Sequence, residues 1–167
     1  MIFFTADEHF GHDAIRKYCN RPFASVEEMD GALVANFNSC VGVGDTIYHL
    51  GDFCFKNKTS SVGYRSRLNG NNIFLKGNHD KETNDLPHIM EITIEGQFIV
   101  LAHYSMRVWN RCHYGSWQLY GHSHGTLPPI GKQFDVGVDN NNYFPISFTQ
   151  LKEKLDLVPN HVVFDKR

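Results

Sequence analysis

Asp7 and His9 close the apolar opening run IFFTA, and His12 follows three residues later, so one aspartate and two histidines fall within six positions. The same kind of ending recurs along the chain. Asp52 follows TIYHLG, Asn78, His79 and Asp80 follow NNIFLKG, His103 follows QFIVLA, and His122 and His124 follow SWQLYG. Carboxylate, carboxamide and imidazole groups are oxygen and nitrogen donors for divalent transition metals. Without thiolate, such a set suits Mn, Fe, Ni, Co or Zn better than it suits a closed structural zinc site. A single Asp or Asn after a buried strand is by default a turn former. Five such endings in one chain point instead to a shared metal site.

The elements that must position these groups are short. Ile2 to Ala6 reads as a buried strand, and SVEEMDGALVANF places Val26, Met29, Leu33 and Phe37 at helical spacing behind a Ser25 and Glu28 capping box. TIYHLGD and NNIFLKGN each read as a strand entering a glycine-containing loop, with a polar helical segment from Lys58 to Asn69 between them. Beyond His88, IMEITIEGQFIVLAH reads as two strands about the Glu95 and Gly96 turn, and SWQLYGHSH and QFDVGVD add further strands. Ser147 and Gln150 cap a last helix carrying Phe148, Leu151 and Leu155, and HVVFD offers a closing strand. A βαβ-like half followed by a β-rich half predicts an α/β sandwich with polar loops at its strand ends. Alternate residues of an extended strand point the same way about 7 Å apart, so Asp7 with His9, and His122 with His124, can each line one side of a site.

Composition narrows the class. The 167 residues suit one domain spanning 1–167, and 41% apolar content with 13% aromatic residues is ordinary for a folded core. Sixteen basic against eighteen acidic side chains leave a net charge of −2, which disfavours the broad basic face that holds long duplex nucleic acid. Cys19, Cys40, Cys54 and Cys112 show no paired spacing, so a reducing, cytoplasmic setting is expected. No apolar stretch approaches the roughly 18 residues of a membrane span.

In order, DEH at 7 to 9, GD at 51 and 52, GNHD at 77 to 80, His103, and GHSH at 121 to 124 resemble the pattern of the calcineurin-like metallophosphoesterases. The resemblance covers Asp7 to His124 and is most similar to the compact bacterial and phage branch of that family. It implies a four-layer αββα sandwich, with two mixed β-sheets flanked by helices. It also implies a dinuclear centre in which Asp7, His9, Asp52 and His124 hold one ion while Asp52, Asn78, His103 and His122 hold the second. Asp52 would bridge. Manganese is the expected metal, with Fe, Ni, Co or Zn as alternatives. Two divalent ions against two carboxylates leave about +2, which attracts a phosphate ester and makes a bridging hydroxide available near neutral pH. His79, the motif histidine left off the metals, would protonate the leaving oxygen, with Asp80 orienting its ring. Ala102 stands where many relatives have glycine, and Tyr104 follows His103, so the loop there departs from the pattern.

Outside the motifs the claims are smaller. His12 and Arg107 are candidate substrate contacts, against the plain readings of a helix-start histidine and a solvated arginine. Tyr104, Trp109 and His113 are weighed for base stacking or phosphate contact, but aromatics between strands usually fill core gaps. Asn140 to Asn142 read as a turn, and His49, His88 and His161 have no partner legible in the sequence. The resemblance implies hydrolysis of a small phosphate ester, a nucleotide or cyclic nucleotide among the candidates, and charge balance slightly favours a singly charged diester. The alternatives are a noncatalytic metal-binding scaffold and a single-strand nuclease.

Overall fold

Phe3 and Phe4 show why the opening run makes a strand covered on both sides. In the computed structural model, which describes residues 1–55, 61–80 and 85–161, Phe4 joins the core cluster containing Leu50, Leu101, Trp117 and Leu119. Its neighbour Phe3 belongs to the cluster of Met29, Leu33, Phe37 and Ile47. Adjacent strand residues face opposite sides, so an uninterrupted apolar run serves two layers at once.

That strand, β1 (Ile2–Thr5), sits inside a sheet ordered β3-β2-β1-β8. β2 (Thr46–His49) and β3 (Asn71–Phe74) run parallel to it, and β8 (Ile146–Ser147) runs antiparallel. The second sheet is ordered β4-β5-β6-β7, from β4 (Ile89–Ile94), β5 (Gln97–Ala102), β6 (Trp117–Tyr120) and β7 (Gln133–Asp135). Here β4 pairs antiparallel with β5, through a turn in which Glu95 and Gly96 both take positive φ, and the other pairs are parallel. The architecture is therefore two four-stranded mixed sheets flanked by helices. The sheets meet where both bear the candidate ligands: Ala6 bridges Gly137, and Val138 N–H donates to Ala6 O at 3.0 Å.

The helices are α1 (Ile15–Tyr18), α2 (Val26–Cys40), α3 (Ser61–Arg65) and α4 (Phe148–Leu155). α2 buries Met29, Leu33 and Phe37 of the expected stripe, with Val26 half-buried, and each fully buried side chain of that kind contributes roughly 1.5–3 kcal/mol. Its cap differs in one bond. Ser25 Oγ accepts from Glu28 N–H at 3.1 Å, but the Glu28 carboxylate returns to Ala24 N–H rather than to Ser25. At α4 both halves of the Ser147 and Gln150 box are present.

Two expectations change, and a third falls outside what the structure describes. Of the polar segment Lys58 to Asn69, residues 61–65 are helical and 58–60 lie outside the described residues. QFDVGVD is a strand only to Asp135, because Gly137 turns the chain into a 3₁₀ turn at Val138–Asn140. HVVFD begins at His161, and its remaining residues, 162–165, lie outside the described residues. The two-residue β8 and the one-turn α1 are too short to leave a periodic signal. Among the described residues no helix is long and apolar enough to cross a membrane.

Candidate metal centre

Asp7, His9, Asp52, His122 and His124 all take a left-handed backbone, with φ of 60°, 52°, 55°, 67° and 47°. Such a conformation costs on the order of 1 kcal/mol or more for each residue, and clustering of this kind marks functional sites. The loops after β1 and β2 are zipped together by Asp7 N–H to Gly51 O at 3.1 Å and His9 N–H to Asp52 O at 3.0 Å. The loop after β3 is tied in by Asp80. Its carboxylate accepts from the N–H groups of Asp52 at 2.7 Å, Gly77 at 2.8 Å and Phe53 at 3.1 Å. Two glycines leave room for carboxylates: a Cβ on Gly77 would lie 2.1 Å from Asp52 Oδ1, and one on Gly121 would lie 2.6 Å from Asp7 Oδ2.

Asp52 stands at the middle. Its Oδ1 accepts from His79 N–H at 2.8 Å. Its Oδ2 faces three imidazoles, at 3.4 Å from His103 Nε2, 3.6 Å from His9 Nε2 and 4.0 Å from His79 Nε2. To one side Asp7, His9 and His124 offer ligand atoms within 4.8 Å of one another, and to the other Asp52, His103 and His122 do the same. Asn78 joins the second group, its Oδ1 lying 3.1 Å from His103 Nε2. Two buried atoms of the first group, Asp7 Oδ1 and His9 Nε2, have no hydrogen-bond partner. Burying polar groups unpaired is costly, and a cation between them would satisfy both. The donor set, the glycine clearances and these unsatisfied atoms all fit a divalent metal.

Outer partners fix the imidazoles. His103 Nδ1 donates to Leu50 O at 2.9 Å, and His124 Nδ1 donates to Asp139 Oδ2 at 2.7 Å, so each ring presents its Nε2 to the site. Cys19, His124 and Asp139 form a third close group, but both Asp139 oxygens already accept from the Arg21 guanidinium.

Without metal the site holds protons. Burial pushes the Asp7 carboxyl up to about 7, against the pull of His103 and His124. Burial also works against the charges of Asp52 and His124 but is overcome at both. The hydrogen bond and charge of His103 hold Asp52 down to about 2, and hydrogen bonds to Asp139 and Cys19 take His124 up to about 10. His103 is raised in spite of its burial, by Asp52 and Asp7, whereas burial lowers His9 well below the ordinary histidine range.

His79 is half-buried at the rim, its ring 5.2 Å from that of His9. His12 stacks on Phe55 at 3.9 Å and 10°. Both line an open groove of about 670 Å³ together with His9, Asp52, His122, His124, the buried Ile15 and the exposed Tyr18 and Leu127. Arg107 is exposed and does not line this groove. Its carbonyl accepts from His161 Nε2 at 3.1 Å. Tyr104 caps Asn78 with a 3.3 Å hydrogen bond from its hydroxyl, while Trp109 is buried and stacks on His161.

Sequence reasoning passed over Asp139, Arg21 and Glu8. Asp139 stood inside an expected strand, and Arg21 carries no motif. Glu8, the middle residue of DEH, is buried with Oε1 2.6 Å from His49 Nδ1, and His49 Nε2 meets Asn72 Oδ1 at 2.8 Å. A polar side chain alternating out of a ligand pair was the available signal, since it must find a partner on the other face of the chain.

No protein-family model matches the chain. It is 35% identical over 155 residues to an uncharacterized protein of Methanocaldococcus jannaschii, MJ1445, covering 87% of this chain and 86% of that protein. It is also 35% identical over 80 residues to the gene 66 protein of Mycobacterium phage L5, covering 46% of this chain and 38% of that protein. Among solved structures, a protein of unknown function from Aquifex aeolicus, AQ665, shares the fold, with a TM-score of 0.73 and 22% identity over 92% of this chain and 98% of that one. A weaker likeness, TM-score 0.43 at 19% identity, is to YfcE, a phosphoesterase from E. coli, over 81% of this chain and 77% of that one.

Proposed function

This chain belongs to the same family as the Methanocaldococcus jannaschii protein, and we propose that it is a dinuclear metal-dependent phosphoesterase acting on a small phosphate ester, a diester by preference. One observation carries the reading. Asp52 Oδ2 lies 3.4 Å from His103 Nε2 of its own ligand group and 3.6 Å from His9 Nε2 of the other. That position supports Asp52 as the carboxylate that would bridge two ions. Asp7, His9, Asp52 and His124 would hold one ion, and Asp52, Asn78, His103 and His122 the other. When bound, the pair supplies Lewis acidity and a water acidified to near-neutral pKa.

The chain's own residues do the rest. The backbone N–H of His79 steadies Asp52 Oδ1, and its half-buried ring stands at the groove rim, where it can deliver a proton to the leaving oxygen. Asp80 keeps the β2 and β3 loops in register by its three accepted amide bonds. His12, stacked on Phe55, lines the groove beside His79 and offers a second imidazole to substrate oxygens. Ile15, Tyr18 and Leu127 add apolar lining to the same groove, suited to the organic substituent of the ester. A singly charged diester balances a centre of about +2 less one hydroxide, which favours diester over monoester. Manganese is the metal we assign first.

The test compares p-nitrophenyl phosphate, bis(p-nitrophenyl) phosphate and a single-stranded oligonucleotide across Mn, Ni, Zn and Mg, with a chelator control. Diester hydrolysis that needs metal and exceeds monoester hydrolysis is expected. Absence of turnover with every metal would reject the enzyme reading, and a preference for the oligonucleotide would replace it with nuclease activity.

A further inference from the structure

Arg21 lies in the loop after α1, outside every motif, yet its side chain is fully buried. All five of its N–H donors are used. Nε donates to Asp139 Oδ1 at 2.7 Å, and one terminal nitrogen donates to Asp139 Oδ2 and to Asp7 O, both at 2.7 Å. The other donates to Glu8 O at 3.0 Å and to Met29 Sδ at 3.5 Å. Four of the five bonds end on one ion's surroundings: two on the carbonyls of the Asp7–His9 turn, and two on the carboxylate behind His124. None reaches Asp52, Asn78, His103 or His122.

We infer that Arg21 is a positioning residue for the Asp7, His9 and His124 ion alone. It holds the left-handed turn that aims Asp7 and His9, and through Asp139 it sets the ring of His124. The inference rests on the dinuclear reading above but goes beyond it, because it divides the centre into an arginine-framed half and a half framed by Leu50 O and Tyr104. A rigid planar fork is needed for the task. A lysine ammonium has three donors from one point and cannot span a carboxylate and two carbonyls together. The plainer view, that a buried Arg21 and Asp139 pair only ties the α1 loop to the fold, makes a different prediction: its loss would weaken both ions alike.

Manganese binding to the full chain separates the two. Calorimetry counts ions and affinities, electron paramagnetic resonance distinguishes a coupled pair from an isolated ion, and thermal melting of the metal-free chain checks folding. The native chain should take two ions with a coupled signal. Arg21→Gln and Asp139→Asn should each weaken one ion by about 10- to 100-fold, the usual effect of removing such an outer partner, and leave an uncoupled signal from the other. Arg21→Lys should restore little. Because both residues act through one clamp, the double variant should be no worse than the weaker single. Two ions bound at native affinity in Arg21→Gln, or equal weakening of both, would overturn the inference. Should Arg21→Gln fail to fold, Asp139→Asn decides by the same criteria. A native chain that binds fewer than two ions would instead reject the dinuclear reading itself and the inference with it.

Discussion

His103 Nε2 stands 3.4 Å from Asp52 Oδ2, both side chains buried. Burial opposes both charges, but the pairing holds Asp52 down to about 2 and raises His103. A cation entering between them needs a neutral imidazole. His124, up at about 10, and Asp7, up at about 7, are likewise protonated below those values and must give up protons to become ligands. Metal uptake at pH 6.5 should therefore release more than about one proton per chain, and apparent affinity should rise with pH. Calorimetry in buffers of differing ionisation enthalpy measures the count, and a value of zero would contradict this account.

Asp52→Asn should abolish turnover and weaken both ions, since a neutral amide cannot replace a carboxylate shared between two ligand groups. Metal analysis of the purified variant checks it. Native metal content with native activity would remove Asp52 from the centre.

His79→Ala should retain its metals, because the bond to Asp52 Oδ1 comes from the backbone N–H, which alanine keeps. Turnover should fall by about 10²-fold, most for esters with poor leaving groups. A leaving-group series reads this directly, and a uniform loss across the series would rule out a proton-donor role.

Asp80→Asn separates an orienting role from a loop-holding role. The carboxylate accepts three backbone N–H bonds, and an amide of the same shape would turn N–H against N–H. Destabilisation of about 2 kcal/mol is expected, seen as a lower melting temperature, with unchanged dependence on leaving group.

Gly77→Ala should be among the most damaging single methyl additions in the chain. The new Cβ would lie 2.1 Å from Asp52 Oδ1 and 2.3 Å from Asp52 N, and backbone cannot move aside cheaply. Metal affinity should drop by more than about tenfold, and a titration with manganese tests it.

Much of the fold was legible because its strands are covered on both faces and end abruptly in polar loops, as at Phe3, Phe4 and Asp7. The Met29, Leu33 and Phe37 stripe and the Ser147 and Gln150 cap were equally readable, each resting on a local rule. What escaped depended on distance along the chain. Arg21 meets Asp139 across 118 residues, and His49 meets Glu8 across 41, so nothing near either residue advertises its partner. β8 was hidden for another reason, since two residues paired to the edge of β1 carry no periodicity. The candidate substrate contact at Arg107 rested on its closeness to His103 in sequence, and in the structure Arg107 is exposed and not among the residues lining the groove.

Asp, Asn and His tolerate positive φ several-fold more readily than other residues with side chains. At positions 7, 9, 52, 122 and 124 the path of the main chain thus admits nearly the same few letters that a divalent cation would ask for. Two unrelated filters, one steric and one coordinative, screen the same alphabet. A designer who wished to retire the centre while keeping its loops would find Asp to Asn and His to Asn the gentlest exits.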